Sequence, residues 1–380
     1  MKVAILTTDN REFFEDYDGA QPSFGTAPAA LLQGFEKFPG VAIHVVSCSQ
    51  RRLKAPEKIA PNIWFHSLHV PKIGWLRTGY QGCIRAVRRR LTSIRPDIVH
   101  GQGTERDCAF SSVFSGYPNV VTVHGNMGVI AHVNRARPFT FDWCAARLES
   151  FTLPRSNGVI CITDYTRNAV AALARKTWVI PNAVDADFFR VDRKPSSSPL
   201  ILCVGNVILR KNQNFFIRAL DELKTQIDLS VIFLGKATRA DPYGKEFFTL
   251  LAQRPWCRYE GYAGREQLKA YLAQATVVAL PSLEDNCPMV VLEGMATGTP
   301  IVAARVGGVP ELIVDRVTGL FCAPRDAQSI RGAIATYLQN PELAETISQA
   351  AKTDALARFL PKRIAAKHVE IYREVLQTTS

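Results

Sequence analysis

The chain has no run of about 18 consecutive apolar residues, so no helix is expected to span a bilayer. Its first residues, MKVAILTTDNREFF, hold only the short apolar run Val3–Leu6 before Thr and Asp, which reads as a first strand and not as a signal peptide. No C-x-x-C, no H-x-x-x-H and no Cys/His cluster is present, which removes the common zinc signatures and leaves no metal expected. The nine cysteines are scattered and odd in number, so they are expected to be reduced, mostly buried thiols of a cytoplasmic protein. Cys48, Cys161 and Cys203 lie in or beside apolar strand patterns, where Cys acts as a small hydrophobe. Internal repeats and low-complexity segments are also missing. Acid is scarce in one stretch: residues 51–95 hold eleven Lys/Arg and a single carboxylate, Glu57.

What is present is an ordinary globular balance, 47% hydrophobic and 21% charged, in 380 residues, a length that predicts two domains. The net charge of +12 is uneven, with 25 Lys/Arg against 16 Asp/Glu in the first 195 residues. Arg85, Arg88, Arg89 and Arg95 fall near one face of a helix expected around Tyr80 to Ile94. Such a face suits anionic lipid or a phosphorylated substrate, or is simply solvated. Nucleic acid is not expected, because the aromatic and motif pattern for it is missing. Short apolar strands alternate with amphipathic helices, at Val3–Thr7, Val41–Ser47, Ile63–Leu68, Asp97–His100, Val120–His124, Val159–Thr163 and Trp178–Ile180. Helices are expected between them at Ala27–Glu36, Arg106–Phe114 and Arg167–Ala174. Pro195-Ser-Ser-Ser-Pro199 reads as a linker. The alternation restarts at Leu200–Val204, Leu229–Leu234, Arg258–Gly261, Thr276–Leu280 and Ile301–Ala304, and Ile347 to Leu376 looks helical throughout. Continuous apolar strands separated by helices imply parallel sheets covered on both faces, α/β in class. Two such halves predict a cleft, with ligands at the strand C-termini facing it.

The most informative stretch is Ala279 to Leu312, ALPSLEDNCPMVVLEGMATGTPIVAARVGGVPEL. A strand runs into the polar loop Pro281–Cys287, and Pro288 stands where a first helical turn accepts it. The helix expected at Pro288–Thr297 is apolar on nearly every face, hence buried, yet carries Glu293. A lone buried carboxylate is costly unless paired or hydrogen-bonded. The free N–H groups of this helix, beginning with Met289 and Val290, and its positive dipole end face the loop, ready for hydroxyls or an anion. Asp285 stands eight positions before Glu293. Taken alone, Asp285 or Asn286 could be a helix cap and Glu293 a structural hydrogen-bonder.

This pattern resembles the donor-site signature of retaining GT-B glycosyltransferases of family 4, in which two acids with seven residues between them precede Gly-x-Pro and a glycine-rich turn. The usual first acid is Glu, so Asp285 is a departure, with Glu284 one place out of register. The resemblance implies two Rossmann-like doubly wound domains facing a cleft: residues 1–194 on the acceptor side, 195–360 binding the donor, and a final helix, 361–380, crossing back to the first domain. In the family an Arg directly after the glycine of Val204-Gly205 and a Lys six residues beyond it grip the donor diphosphate. Lys211 matches; Asn206 replaces the Arg, and Arg210 is placed to supply the missing charge. Gly261-Tyr262-Ala263 resembles the base-binding turn, although Tyr262 could instead be packing. Glu293 would accept the ribose hydroxyls, with Pro288, Met289 and Val290 at the helix start beside the donor. Asp285 would bind sugar hydroxyls or sit near the reacting carbon.

In the first half, Phe24-Gly25-Thr26 opens the first helix, and the resemblance places Gly25 against the diphosphate and acceptor; many relatives carry a second glycine where Phe24 stands. His124-Gly125-Asn126 ends a strand, and a His there contacts the transferred sugar and helps stabilise charge in the family; the alternative is a His satisfied by a neighbouring carbonyl. His100 ends another strand and is open between a structural and an acceptor-side role. Asn182 and Asp185 read as turn and hinge formers. Two D-x-D matches, Asp16-Tyr17-Asp18 and Asp185-Ala186-Asp187, read as structural. The implied activity is transfer of a sugar from a nucleoside diphosphate sugar, UDP or GDP, to a glycan or lipid-linked acceptor with retention, without a cofactor, in cell-surface polysaccharide, lipopolysaccharide or glycolipid synthesis. Residues 51–95 would touch the anionic inner membrane face of a peripheral protein. The competing readings are a nucleotide-sugar epimerase of the same fold and a non-catalytic membrane- or nucleic-acid-binding protein.

Overall fold

The apolar runs form two sheets in a computed structural model that describes residues 1–379. The first sheet contains β1 (Lys2–Leu6), β2 (Ala42–Ser49), β3 (Lys58–Ala60), β4 (Ile63–His69), β5 (Ile98–Gln102), β6 (Asn119–Val123), β7 (Gly158–Cys161) and β8 (Thr177–Val179). Its order is β3-β4-β2-β1-β5-β6-β7-β8, parallel throughout except for the β3–β4 pair. Every residue of β5, β6 and β7 is buried, as expected of strands covered on both faces. The second sheet contains β9 (Leu200–Val204), β10 (Ser230–Leu234), β11 (Cys257–Gly261), β12 (Val277–Leu280), β13 (Ile301–Ala304) and β14 (Leu320–Cys322), ordered β11-β10-β9-β12-β13-β14 and parallel at each pairing. In both sheets the order reverses beside the first strand in sequence, the doubly wound arrangement that opens a ligand crevice at the strand C-termini. Edge-to-face packing of Phe216, Phe233 and Phe247 anchors the second core.

Two compact units result: Met1–Ala183 together with the chain from Leu360 onward, and Val184–Phe359. The first boundary therefore falls eleven residues before the expected 194/195, and the second falls at 359/360. The reason is visible in residues 184–194, which are already bonded into the second unit. Val184 N–H donates to Phe359 O (2.9 Å), Arg193 to Gly298 O (2.9 Å) and Lys194 N–H to Ala273 O (2.9 Å). Pro195–Pro199 is a surface coil inside that unit and marks no boundary. The segment expected to be helical from Ile347 to Leu376 is built of two helices, Pro341–Arg358 and Pro361–Thr379, and the second begins where the final helix was expected, at Pro361, which cannot continue the helix before it. The last helix packs on helix Thr26–Phe35 in the first unit. Helix Asp164–Val170 starts three residues before expectation, capped by Thr163, whose hydroxyl accepts from Thr166 N–H. The short strands β3 and β14 have no counterpart among the strands expected from the sequence.

Helix Gln81–Ile94 turns Cys83, Ile84, Val87, Leu91 and Ile94 inward. Arg85, Arg88 and Arg89 are exposed with Arg90, whereas Arg95 is not on the helix but terminates it in left-handed conformation (φ 52°). The nine cysteines are free thiols, all buried except Cys144. Among the described residues no helix is long and apolar enough to cross a membrane.

Candidate active site

In the second unit the loop between β12 and helix Met289–Thr297 carries the acids. Pro288 is the N-cap (φ −64°, ψ 118°) and not the first helical residue. Pro288 offers no side-chain acceptor to the helix, so its N-terminal N–H groups are left to other partners. Pro288 and Val290 are buried and Met289 half-buried beside that end. The loop is pinned from behind by the glycine-rich turn: Gly308 N–H donates to Asp285 O (3.0 Å), and a Cβ on Gly307 (φ 54°) would lie 1.9 Å from that same carbonyl oxygen. Only glycine permits this approach.

The cations come from the turn Leu209–Lys211 that follows β9. Gly205 ends β9 at φ 153° with the Lys211 stem against it. Lys211 Nζ donates to Asp285 Oδ2 (2.5 Å), which also accepts from Ser282 Oγ (3.0 Å). Arg210 donates to Glu284 Oε2 (3.1 Å) and to Glu284 O (2.9 Å), and lies 3.7 Å from Asp285 Oδ1. Burial pushes the Glu284 carboxyl up while the Arg210 guanidinium draws it down. The pairing is reciprocal, because Leu283 N–H donates to Arg210 O (2.8 Å). Two cations thus face two carboxylates beside a helix N-terminus. Asn206 does not join them: exposed, it accepts from Lys236 N–H through Oδ1 (3.1 Å) and fixes the loop after β10.

Glu293 is buried, and desolvation raises its pKa to about 7, against the Arg265 charge, which lowers it, and Asp185, which raises it. Arg265 is itself held by Asp185 Oδ2 (2.6 Å), so the neighbouring cation is shared. Asp185 also accepts from Asp187 N–H (3.1 Å), the turn role expected of it. Tyr262 is 56% exposed, which excludes a core role.

In the first unit Gln102 on β5 accepts from His124 Nε2 (2.7 Å), and His124 also bonds the Asn182 side chain. Burial lowers the His124 pKa to about 4, helped by the nearby His368, so the imidazole is neutral at pH 7. Whatever it contributes there, it does so without a positive charge. The neighbouring carbonyl that satisfies it is a glutamine amide oxygen. His100 resolves as a structural residue: fully buried, its Nδ1 meets Tyr372 Oη (2.6 Å) and its Nε2 meets Thr122 Oγ1 (2.7 Å). Gly25 is the N-cap of helix Thr26–Phe35 with ordinary φ (−55°), and an added Cβ would make only van der Waals contacts, at 3.6 Å to Pro28 and 3.9 Å to Asn10. Beyond His124, buried Glu149 accepts from Thr104 Oγ1 (2.5 Å), Met127 N–H (3.2 Å) and Gly128 N–H (3.3 Å), serving helix Met127–Val133 as an N-terminal acid.

The structure therefore brings Arg210, Lys211 and Asp285 together and adds Glu284 and Ser282 to them. Arg265 joins Glu293 and Asp185, and Gln102 and Asn182 join His124. Arg265 gave no signal in the sequence, since it lies in an exposed stretch of ordinary charge. Gln102 could have been found from the alternation of HGQ, which places residues 100 and 102 on one sheet face.

A model described as glycosyl transferases group 1 matches residues 184–354, and one described as glycosyltransferase family 4 matches residues 29–188. A glycogen synthase from Mycobacterium tuberculosis is 26% identical over 294 residues, 74% of this chain and 69% of that one. Among solved structures, sucrose-phosphate synthase from Thermosynechococcus elongatus superposes with a TM-score of 0.80 at 19% identity over the whole of both chains. Anabaena HepE in complex with UDP-glucose superposes at 0.75 with 18% identity, over 98% of this chain and all of that one. The two models follow one another along the chain as the two sheets do, and the protein is a glycosyltransferase of family 4 with the GT-B fold.

Proposed function

We propose that this glycosyltransferase takes its sugar from a nucleoside diphosphate sugar and transfers it with retention to a glycan or lipid-linked acceptor, without a metal or other cofactor. The observation that carries the reading is the Arg210–Lys211 pair beside the helix that bears Glu293. Negative charge grows on the diphosphate as the glycosidic bond breaks, and preorganised cations with a helix N-terminus stabilise that charge more than the ground state. Lys211 and Arg210 would exchange part of their pairing with Asp285 and Glu284 for phosphate oxygens, with Gly205 letting the backbone come close. Asp285, freed on that side, would accept from sugar hydroxyls. Glu293 suits ribose: a buried carboxyl with a pKa near 7 gains from two hydroxyl donors on becoming charged. Exposed Tyr262 would stack on the base, and neutral His124 would hydrogen-bond the transferred sugar. HepE is solved with UDP and UDP-glucose, and a 26% identical mannosyltransferase is GDP-mannose-dependent, so the proposal takes in both UDP and GDP.

For the acceptor, the exposed guanidinium groups of Arg85 and Arg89 line an open groove of about 560 Å³ with His69 and Thr78, beside Ile73, whose side chain is 78% exposed. Cationic groups next to an exposed aliphatic tip suit the anionic inner membrane face, where each added charge contributes about 1 kcal/mol. Sedimentation with anionic vesicles tests this; Arg88→Glu/Arg89→Glu should lose most of the binding, and wild-type sedimentation of that variant overturns the membrane contact.

The donor assignment is tested by thermal melting against UDP, GDP and ADP and their sugars, since a ligand bound only by the native state raises Tm by mass action. A selective rise with one diphosphate, followed by NMR of the anomeric product, is the expected result. Conversion of the free donor into another sugar nucleotide would make the chain an epimerase, and no shift with any of them would overturn the donor reading.

A further inference from the structure

Five side chains in the first unit form a continuous hydrogen-bonded line. Tyr372 Oη, from the last helix, is 2.6 Å from His100 Nδ1. Gln102 Nε2 is 3.2 Å from His100 Nε2, and Gln102 Oε1 is 2.7 Å from His124 Nε2. His124 continues to Asn182. His368 stacks on the His100 ring at 5.5 Å between centroids, and Thr122 closes the line at His100 Nε2 (2.7 Å). All seven are buried apart from half-buried His124, so the order of donors and acceptors is set by the protein.

The chemistry of the amide fixes the order at Gln102. An amide nitrogen can only donate and an amide oxygen can only accept. Gln102 Nε2–H lies 3.2 Å from His100 Nε2 and 3.4 Å from His100 Nδ1, so it rests against that ring and leaves its tautomer to the shorter contacts with Tyr372 Oη and Thr122 Oγ1. At its other end Gln102 Oε1 requires His124 to carry its proton on Nε2. Turning the amide over would put its N–H against His124 Nε2 and reverse that demand. We infer that Gln102 is a positioning residue for His124: anchored through His100 to Tyr372, its amide oxygen holds the His124 ring in one orientation with its proton on Nε2. The inference rests on the role proposed above for His124; orientation by a partner on the ring nitrogen is how imidazoles are commonly tuned.

Long-range proton–nitrogen NMR of the histidine rings reads the proton position directly, with His124→Ala identifying the signals. Wild type is expected to show His124 as the Nε2–H form. Gln102→Leu should lose that single form and lower kcat about ten- to a hundredfold, the usual cost of removing an imidazole's outer partner. Donor KM should change much less. Gln102→Glu keeps an acceptor for Nε2–H and should restore part of kcat; Tyr372→Phe should act in the same direction as Gln102→Leu but more weakly. A wild-type His124 protonated on Nδ1, or a mixture of both forms, overturns the inference, and that spectrum needs no variant to fold beyond the assignment control. So does a Gln102→Leu enzyme that turns over as wild type while His124→Ala does not. If His124→Ala itself is unimpaired, the sugar contact proposed for His124 falls, and the wild-type spectrum still decides the positioning by Gln102.

Discussion

The two units hold their polar side chains by opposite means. In the second unit Arg210, Lys211, Glu284 and Asp285 are charged partners at the edge of a loop, a few residues from solvent. In the first, His100, His124 and His368 are kept neutral by burial, His100 and His124 being joined through Gln102 and His368 bonding Ile364 O. A charged cluster can trade a protein partner for a ligand oxygen at little net cost, whereas a neutral buried network loses a hydrogen bond for each rearrangement. The first arrangement suits a site that must grip and release an anion; the second suits one that must stay in register.

The sharpest way to break that comparison is at Glu293, the buried carboxyl that belongs by position to the first kind and by environment to the second. Glu293→Ala and Glu293→Gln are expected to lower turnover by at least about a hundredfold, the scale on which removing one preorganised hydrogen-bonding group slows an active site. Glu293→Gln should fold as wild type does, since it removes a desolvated acid. Normal kinetics for either variant would remove the ribose role.

Next in size is the Lys211–Asp285 pair. Lys211→Met leaves Asp285 without its cation at a site where the side chains are 16% and 9% exposed, and should destabilise by about 3 kcal/mol as well as disable donor binding. Adding Asp285→Asn should restore most of the Tm and none of the activity. Recovery of both in the double variant would mean the pair serves the fold alone.

These residues were legible because the signature is local. Asp285, Pro288 and Glu293 sit within one strand–loop–helix unit, where spacing alone fixes their mutual placement, and the glycine pair after β13 could be read as a turn, although not as the support that presses on Asp285 O. The alternation of apolar runs and helices likewise marks twelve of the fourteen strands; β3 and β14 are three residues each and follow no α-helix, so the alternation does not announce them, whereas the equally short β8 follows helix Asp164–Val170. Beyond the 100/102 pair, the Gln102 line was invisible for the converse reason: its members come from β5, β6, the segment after β8 and the last helix, and no spacing rule joins residues 100 and 372. The Pro195–Pro199 signal misled because Pro and Ser mark an exposed coil wherever it lies.

The comparison has a consequence in pH. Glu293 is protonated in both states below its unfolded pKa of about 4.3, and only in the folded state from there to about 7. Its contribution is thus present at low pH and lost as pH rises to 7, roughly 3 kcal/mol in all. His368 is the reverse: its folded pKa, lowered to about 4 by burial, lies below the unfolded value of about 6.5, so the folded chain loses roughly 3 kcal/mol as pH falls from 6.5 to 4. Hydrogen exchange corrected for its intrinsic pH dependence should show protection falling in helix Pro361–Thr379 and rising in helix Met289–Thr297 between pH 7 and 5. His368→Phe should flatten the first trend and Glu293→Gln the second.

The smallest structural effect is expected at Gly25, which makes it the cleanest probe of the loop before helix Thr26–Phe35. Its φ of −55° is open to any residue and the nearest atoms to an added Cβ are at 3.6 Å, so nothing inside the first unit demands glycine. Gly25→Ala should leave Tm within about 1–2 °C, or raise it slightly by restricting the unfolded chain. If substrate passes against this backbone, the same methyl group should raise acceptor or donor KM severalfold while the fold is unchanged. Gly307→Ala is the matched control: there the clash is with Asp285 O itself, so stability and activity should fall together. A Gly25→Ala enzyme with wild-type kinetics would mean that the first helix opens on glycine for no reason of binding, and the loop would drop out of the site.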